Sequence, residues 1–510
     1  MAALSLVAAA CGGDDDDPSG QDAAADIDET GILKLPADMS APAFGNFDPT
    51  KVVASLASPT LLYLYGTLLR LNSEGEVVPE LAEEVEVVDA SNLVVKLRPG
   101  LKFSDGTTLD AEALKFSWER LVREGQPGAQ EAEFAQFETL TVASPTELRV
   151  KLKSPIAGAF YRLMRLAESA PVSPTAVRSG ADFNAKPIGA GPFTFVEYIP
   201  GESVKLAKSE SYWDADNIKL AGIEYVNVSA QAMQNAVRTN IIDFANLSAP
   251  NAQALQGVAG WDIVNQASNG VQLVGFFCKN RPPFDNLKVR QALNWAIDKD
   301  AMNDVIYEGK GEPMHGFNAS FTPYYDEDLE DTYTHDPAKA RSLLAEAGVP
   351  NLTFDILFSP GTDGQKGSEV LQQQFQAAGI TTSLVPITGT QDFFPNGTKG
   401  AFYFFPLARV GLPKVTRTLV PGTFGNVCEW NDPELNSLVT QLRAVPEESD
   451  EGIELWSKIS ENGLRNALWL FGVFGTQPYG VYESRVGGLE LVETSAGTPT
   501  PDIYEIYIKK

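Results

Sequence analysis

Pro282-Pro-Phe-Asp-Asn-Leu-Lys-Val-Arg-Gln-Ala-Leu-Asn-Trp-Ala-Ile-Asp298 reads as a strand exit, a proline stop and then a helix. Proline gives no N–H to a β ladder, so Pro282 and Pro283 end the apolar strand predicted over 271–278. Asp285 or Asn286 offers a side-chain acceptor to the free N–H groups of the next turn. Val289, Leu293, Ala296 and Ile297 recur at helical spacing, which predicts one buried stripe.

The same alternation continues on both sides. Downstream, Asp336-Pro-Ala-Lys-Ala-Arg-Ser-Leu-Leu-Ala-Glu-Ala-Gly-Val-Pro350 predicts a helix closed by Gly348 and Pro350, before a strand near 352–358. Upstream, Asp105-Gly106 marks a tight turn. Asp110 caps a helix carrying Leu114, Trp118 and Leu121 along one side. Phe193 and Phe195, then Val204 and Leu206, alternate around the turn Pro200-Gly201 and predict two half-buried strands. Strands and helices follow one another irregularly, as in a mixed α/β architecture with discontinuous domains. No repeat of 20–50 residues occurs, and no apolar run beyond residue 11 is long enough to span a bilayer.

Composition narrows the function. The 510 residues predict roughly three domain-sized units. Net charge is −28, and the eight acids of residues 1–30 account for only part of it. Acidity spread over the body disfavours nucleic acid and anionic lipid, which both need clustered Lys and Arg. Solubility is its simplest physical use.

Residues 1–11, MAALSLVAAAC, form a short apolar run of small residues ending in cysteine. The run is similar to the back half of a secretory signal, and Val7-Ala8-Ala9-Ala10-Cys11 is similar to a bacterial lipoprotein lipobox. A basic n-region is missing, which places the expected natural start further upstream. Cys11 is therefore the expected lipidation site, and the acidic stretch up to residue 29 a self-repelling tether. Cys278 and Cys428 remain; an oxidising compartment permits a bridge between them, while burial of Cys278 as a free thiol in its apolar strand is the alternative.

Signatures of chemistry are missing. His315 and His335 are the two histidines, and neither pairs with a ligand-type residue at metal spacing. No nucleophile elbow, phosphate loop or dinucleotide fingerprint appears. Asp326-Glu327-Asp328 lacks the regular spacing of a calcium loop and reads as a solvated segment. No cofactor and no metal are expected, and a secreted hydrolase has no positive support.

The pattern PPFD-x-x-x-VRxAL-x-x-AID resembles the extracellular solute-binding proteins of peptide/nickel-type ABC transporters, family 5. Three further runs are similar to that family: GTLLRL…VPELAEE…LRPGLKFSDGTTLDAEALKFSWERL, the segment opening at Gly189-Ala-Gly-Pro-Phe193, and DPAKARSLLAEAG. The resemblance covers about residues 30–510, densest in these blocks and thin over 360–480. It implies a periplasmic-binding-protein-like class II α/β fold, two lobes around a cleft plus an inserted domain. Matched block by block, lobe 1 takes 30–60, 181–270 and 485–510, the inserted domain 61–180, and lobe 2 271–484, with hinges near 270–275 and 484–488. It also implies a monomer outside the cytoplasm that captures a peptide or other small solute for ABC permease subunits. A sensor of the same fold is the alternative.

Candidate ligand contacts are aromatic and cationic residues near strand ends: Tyr63, Tyr65, Phe404, Phe405, Arg409 and Trp430. Core packing is the competing use of every one of these aromatics. In the peptide-binding branch an acid after the strand holds the peptide ammonium. Here Arg409-Val-Gly-Leu-Pro413 contains none, so Arg409 is expected to meet a carboxylate or other acceptor on the solute.

Overall fold

The computed structural model describes residues 27–39, 46–51, 58–125, 133–387, 402–407, 411–423, 426, 430–493 and 499–510. Asn286 accepts from the Lys288 N–H and starts the helix Leu287–Ala296, which buries Val289, Ala292, Leu293 and Ala296. The helix Pro337–Glu346, capped by Asp336 on the Lys339 N–H, packs beside it. Gly348, at φ 78°, turns the chain out of that helix in a conformation glycine adopts without strain.

These helices cover one face of a mixed sheet. Its order is Phe244–Asn246, Trp469–Tyr482, Trp261–Phe276, Phe402–Leu407, Thr353–Phe358, Thr381–Pro386. Thr353–Phe358 runs parallel to both of its neighbours, and the other pairs are antiparallel. Alternate residues of the central strands face opposite sides, so two hydrophobic clusters form. Leu273, Phe402 and Leu470 meet the helices Leu287–Ala296, Lys299–Tyr307 and Asp363–Ala377. Val274, Phe276 and Phe471 meet Leu412–Leu419, Pro433–Leu442 and Asp450–Arg465.

The other lobe carries the sheet Ile32–Ala37, Gly222–Asn227, Ser203–Lys208, Phe193–Ile199, with the first two strands parallel. A four-stranded antiparallel sheet lies within the segment expected as an insertion: Ala82–Asp89, Asn92–Leu97, Glu147–Leu152, Phe137–Ser144. One continuous hydrophobic cluster joins it to the first lobe. Fully buried Trp118 packs there against Phe134, Phe137 and Phe160. Truncating such a ring to alanine costs about 3–5 kcal/mol.

Two long strands, Trp261–Phe276 and Trp469–Tyr482, run through both lobes. Trp261 and Val481 feed the first lobe's clusters, and Val274 and Phe471 the second's. Their mutual register breaks between Ala267 and Gln272, where the chain passes from one lobe to the other. The strand therefore begins at Trp261, well before the expected 271, and ends at Phe276, short of 278. Residues 484–488 form a small ladder in which Val486–Gly487 pairs with Tyr507–Ile508; the return crossing lies in Trp469–Tyr482. Among the described residues no helix is long and apolar enough to cross a membrane.

Candidate functional site

Where the two crossing strands break register, a cavity of about 700 Å³ opens between the lobes. Ala267, Ser268 and Gln477 of those strands form its floor. Tyr63 and Arg70 line one wall, and Phe321, Tyr324 and Glu447 contribute from the second lobe. The volume suits a solute of small-peptide size.

Tyr63 reaches the cavity from the helix Ser58–Tyr65. Its hydroxyl donates to the Pro501 carbonyl (3.2 Å) and lies 3.1 Å from Thr500 Oγ1. Burial pushes its pKa up to about 12, so it stays a neutral donor. Beside it, the Arg70 guanidinium lies 4.0 Å above the Tyr504 ring and 4.0 Å from the Asp502 carboxylate. Buried Glu80 accepts from the Thr67 hydroxyl (2.8 Å) and the Tyr212 hydroxyl (3.3 Å). Burial pushes Glu80 up to about 7.

On the same wall, where the Leu68 and Leu69 N–H groups donate to the Met164 carbonyl, Arg162 and Arg165 follow one another on the last turn of the helix Ala157–Leu163 and just past it. Arg165 donates to Glu448 at 2.7 Å. Arg162 Nε stands 3.6 Å from Glu447 Oε1, an ion pair without a hydrogen bond. Glu447 Oε2 accepts from the Leu412 N–H (3.1 Å) and from Trp456 Nε1 (3.3 Å). Burial raises the Glu447 pKa, and Arg162 opposes the shift.

The other sequence candidates sit elsewhere. Tyr65 is fully buried, its hydroxyl bonded to the Phe47 carbonyl at 2.7 Å. Tyr63 and Tyr65 share a helix, where residues two apart point in different directions, so only one of them reaches the cavity. Phe404 is fully buried, stacked on Phe402 and packed where a Cβ on Gly367 would fall 2.4 Å from its ring. Trp430 lies under Lys279 and Arg290, 5.7 and 5.4 Å from its ring centroid, away from the described cavity lining. The Phe405 side chain, Arg409, Cys11 and Cys428 lie outside the described residues. Cys278 is buried and disulfide-bonded. Arg70, Arg162, Arg165, Glu80 and Glu447 are charged groups that no local motif singles out; they become a site only through tertiary juxtaposition.

No group of three or more His, Cys, Asp or Glu side chains converges among the described residues. Asp326 caps the 3-10 helix Glu327–Thr332, so the acidic run serves local structure.

Two lobes, two crossing strands and a charged, aromatic cleft between them define a solute-binding protein. The chain belongs to the bacterial extracellular solute-binding proteins, family 5, whose middle region matches residues 76–413. It is 30% identical over 359 residues to a protein of Shigella flexneri described as glutathione-binding protein GsiB, and 29% over 362 residues to its counterpart in Pectobacterium atrosepticum. Each match covers 68% of both chains. Among solved structures it is similar to the ABC transporter substrate-binding protein CtaP of Listeria monocytogenes (TM-score 0.78, 21% identity, 95% of this chain and 100% of that one). It is likewise similar to MppA, a periplasmic murein tripeptide-binding protein in its unliganded open form (TM-score 0.80, 19% identity, 95% and 98%). The protein is thus an extracytoplasmic solute-binding protein of this family, a family of binding proteins and not of enzymes.

Proposed function

We propose that the protein captures a small peptide-like solute outside the cytoplasm and hands it to the permease subunits of an ABC transporter. The observation that carries this is the cleft of about 700 Å³ at the crossing strands, which offers cations and carboxylates on facing walls. A peptide-like solute with both charges meets complementary groups there, and the relatives described as glutathione-binding point to the same chemistry. The candidate contacts are Tyr63 with Arg70, Arg162, Arg165 and Glu447, and we retain Arg409 as a further cation for a solute acceptor.

The protein works as a monomer, held to the cell envelope by acyl groups on Cys11, with Cys278 bridged to Cys428. Its first lobe takes 30–60, 181–270 and the chain after the return crossing in Trp469–Tyr482, its second lobe the chain between the two crossings, with 61–180 inserted. Native mass spectrometry of the purified protein, followed by calorimetric titration with the co-purified solute and with glutathione, tests the reading. Saturating solute at 100 times its Kd adds about 2.7 kcal/mol to stability and raises the Tm. A protein that carries no solute, and whose Tm no peptide-like solute moves, contradicts it.

A further inference from the structure

The Arg162–Glu447 contact is unusual for a buried ion pair. Glu447 is 3% exposed. Its Oε2 is fully engaged by the Leu412 N–H and Trp456 Nε1, yet its Oε1 has no hydrogen-bond partner. Arg162 Nε, 3.6 Å away, has none either. Buried charges normally sit in hydrogen-bonded pairs, and an orphaned donor and acceptor side by side cost stability. Both residues line the cleft, and they come from opposite walls, Arg162 from the helix Ala157–Leu163 and Glu447 from the segment before Asp450–Arg465. The carboxylate is held in place by the two donors on its Oε2, the Leu412 N–H and Trp456 Nε1. The neighbouring pair Arg165–Glu448, by contrast, is closed by a 2.7 Å hydrogen bond.

An ammonium alone at Oε1 would stand against Arg162. A carboxylate alone at Nε would stand against Glu447. A group carrying both charges on one carbon satisfies each atom with a charge-assisted hydrogen bond and cancels the repulsion. We propose that Glu447 and Arg162 form a subsite for an α-amino-acid head, the ammonium on Oε1 of Glu447 and the carboxylate on Nε of Arg162. The head enters while the lobes are apart and is trapped as the two walls meet. This deepens the proposed function and rests on it. It separates solutes with a free α-amino-acid head, such as a γ-glutamyl group, from ordinary peptides, whose N-terminal carbon bears an amide in place of the carboxylate.

The test titrates glutathione, its des-amino analogue glutaryl-cysteinyl-glycine, and trialanine into the wild type, E447Q and R162Q. Loss of the solute's amino group is expected to weaken binding to the wild type by about 30-fold, about 2 kcal/mol. E447Q is expected to weaken glutathione similarly and to bind the des-amino analogue at least as tightly as the wild type does, since its carboxylate no longer stands against Glu447 and the variant keeps an oxygen for Leu412 and Trp456. Equal binding of glutathione and its des-amino analogue by the wild type overturns the subsite and leaves solute capture standing, and this comparison needs no variant to fold. Trialanine binding tighter than glutathione has the same consequence. Failure of all three solutes to bind overturns both the subsite and the proposed solute class.

Discussion

Glu80 shows what a single buried carboxyl does at the edge of the cleft. It accepts from Thr67 and Tyr212 and has no hydrogen-bonded cation, so burial dominates and its pKa rises from 4.5 in the unfolded chain to about 7. The folded protein therefore holds this proton more tightly than the unfolded one. The stability that comes with the neutral carboxyl is complete below about pH 4.5 and is lost as the pH climbs to about 7. Glu80→Gln is expected to remove about 3 kcal/mol of this pH-dependent loss, so the variant gains on the wild type between pH 4.5 and 7.5 in urea melts. Parallel stability–pH curves for the two would refute the burial account. Tyr63 is the aromatic named from sequence that reaches the cleft, although it lies in the helix Ser58–Tyr65 and not near a strand end as expected. Glu80, Arg162 and Glu447 are not readable from sequence: their roles depend on neighbours that only the folded chain brings near, such as Tyr212 beside Glu80 and Trp456 beside Glu447.

At the scale of elements, the helix Ala157–Leu163 is the piece that couples the inserted segment to the second lobe. Its Ala159 N–H donates to the Arg443 carbonyl at 2.9 Å, and Arg443 returns an ion pair to Glu133 at 3.3 Å. Gly158 makes the approach possible, since a Cβ there would fall 1.7 Å from the Val445 carbonyl oxygen. Gly158→Val pushes the two walls apart without opening either hydrophobic core. The expected result is solute affinity about tenfold weaker, about 1.4 kcal/mol, with a nearly unchanged Tm for the unliganded protein. A matching fall in Tm would assign Gly158 to folding instead. Sequence pattern works best for elements with local signals. The Asp110, Asn286 and Asp336 caps all form as their side chains dictate. Arg290 of the VRxAL run is different. Its position on the helix is plain from the sequence, but its hydrogen bonds to the carbonyls of Phe284, Asn466 and Ala467 depend on a distant helix end. The crossing strand Trp261–Phe276 was readable only in its apolar half, because polar residues through Asn269-Gly270 interrupt the alternation where it passes between lobes.

At the scale of the molecule, the two lobes are bound to each other by two kinds of connection with different stiffness. The strands Trp261–Phe276 and Trp469–Tyr482 run unbroken from one lobe's core into the other's, an arrangement that suits rigid-body closure. Between Ala267 and Gln272 their ladder is interrupted, which leaves fewer hydrogen bonds to resist bending. The opposite edge is held by the Ala159 N–H on the Arg443 carbonyl and by three side-chain pairs: Arg165 to Glu448, Arg162 to Glu447 and Arg443 to Glu133. The partly exposed pairs Arg165–Glu448 and Arg443–Glu133 contribute about 0–1 kcal/mol each, and desolvation offsets the attraction in the buried pair Arg162–Glu447, so the empty protein closes only weakly. A solute that fills the cleft adds differential affinity for the closed form and shifts the population toward it. Small-angle scattering is therefore expected to show a smaller radius of gyration with saturating solute than without. Raising the salt concentration weakens the edge pairs and should enlarge the empty protein while leaving the solute-bound form compact. A radius of gyration independent of solute at both salt concentrations would mean that the lobes are locked, and capture would then need an entry route other than their separation.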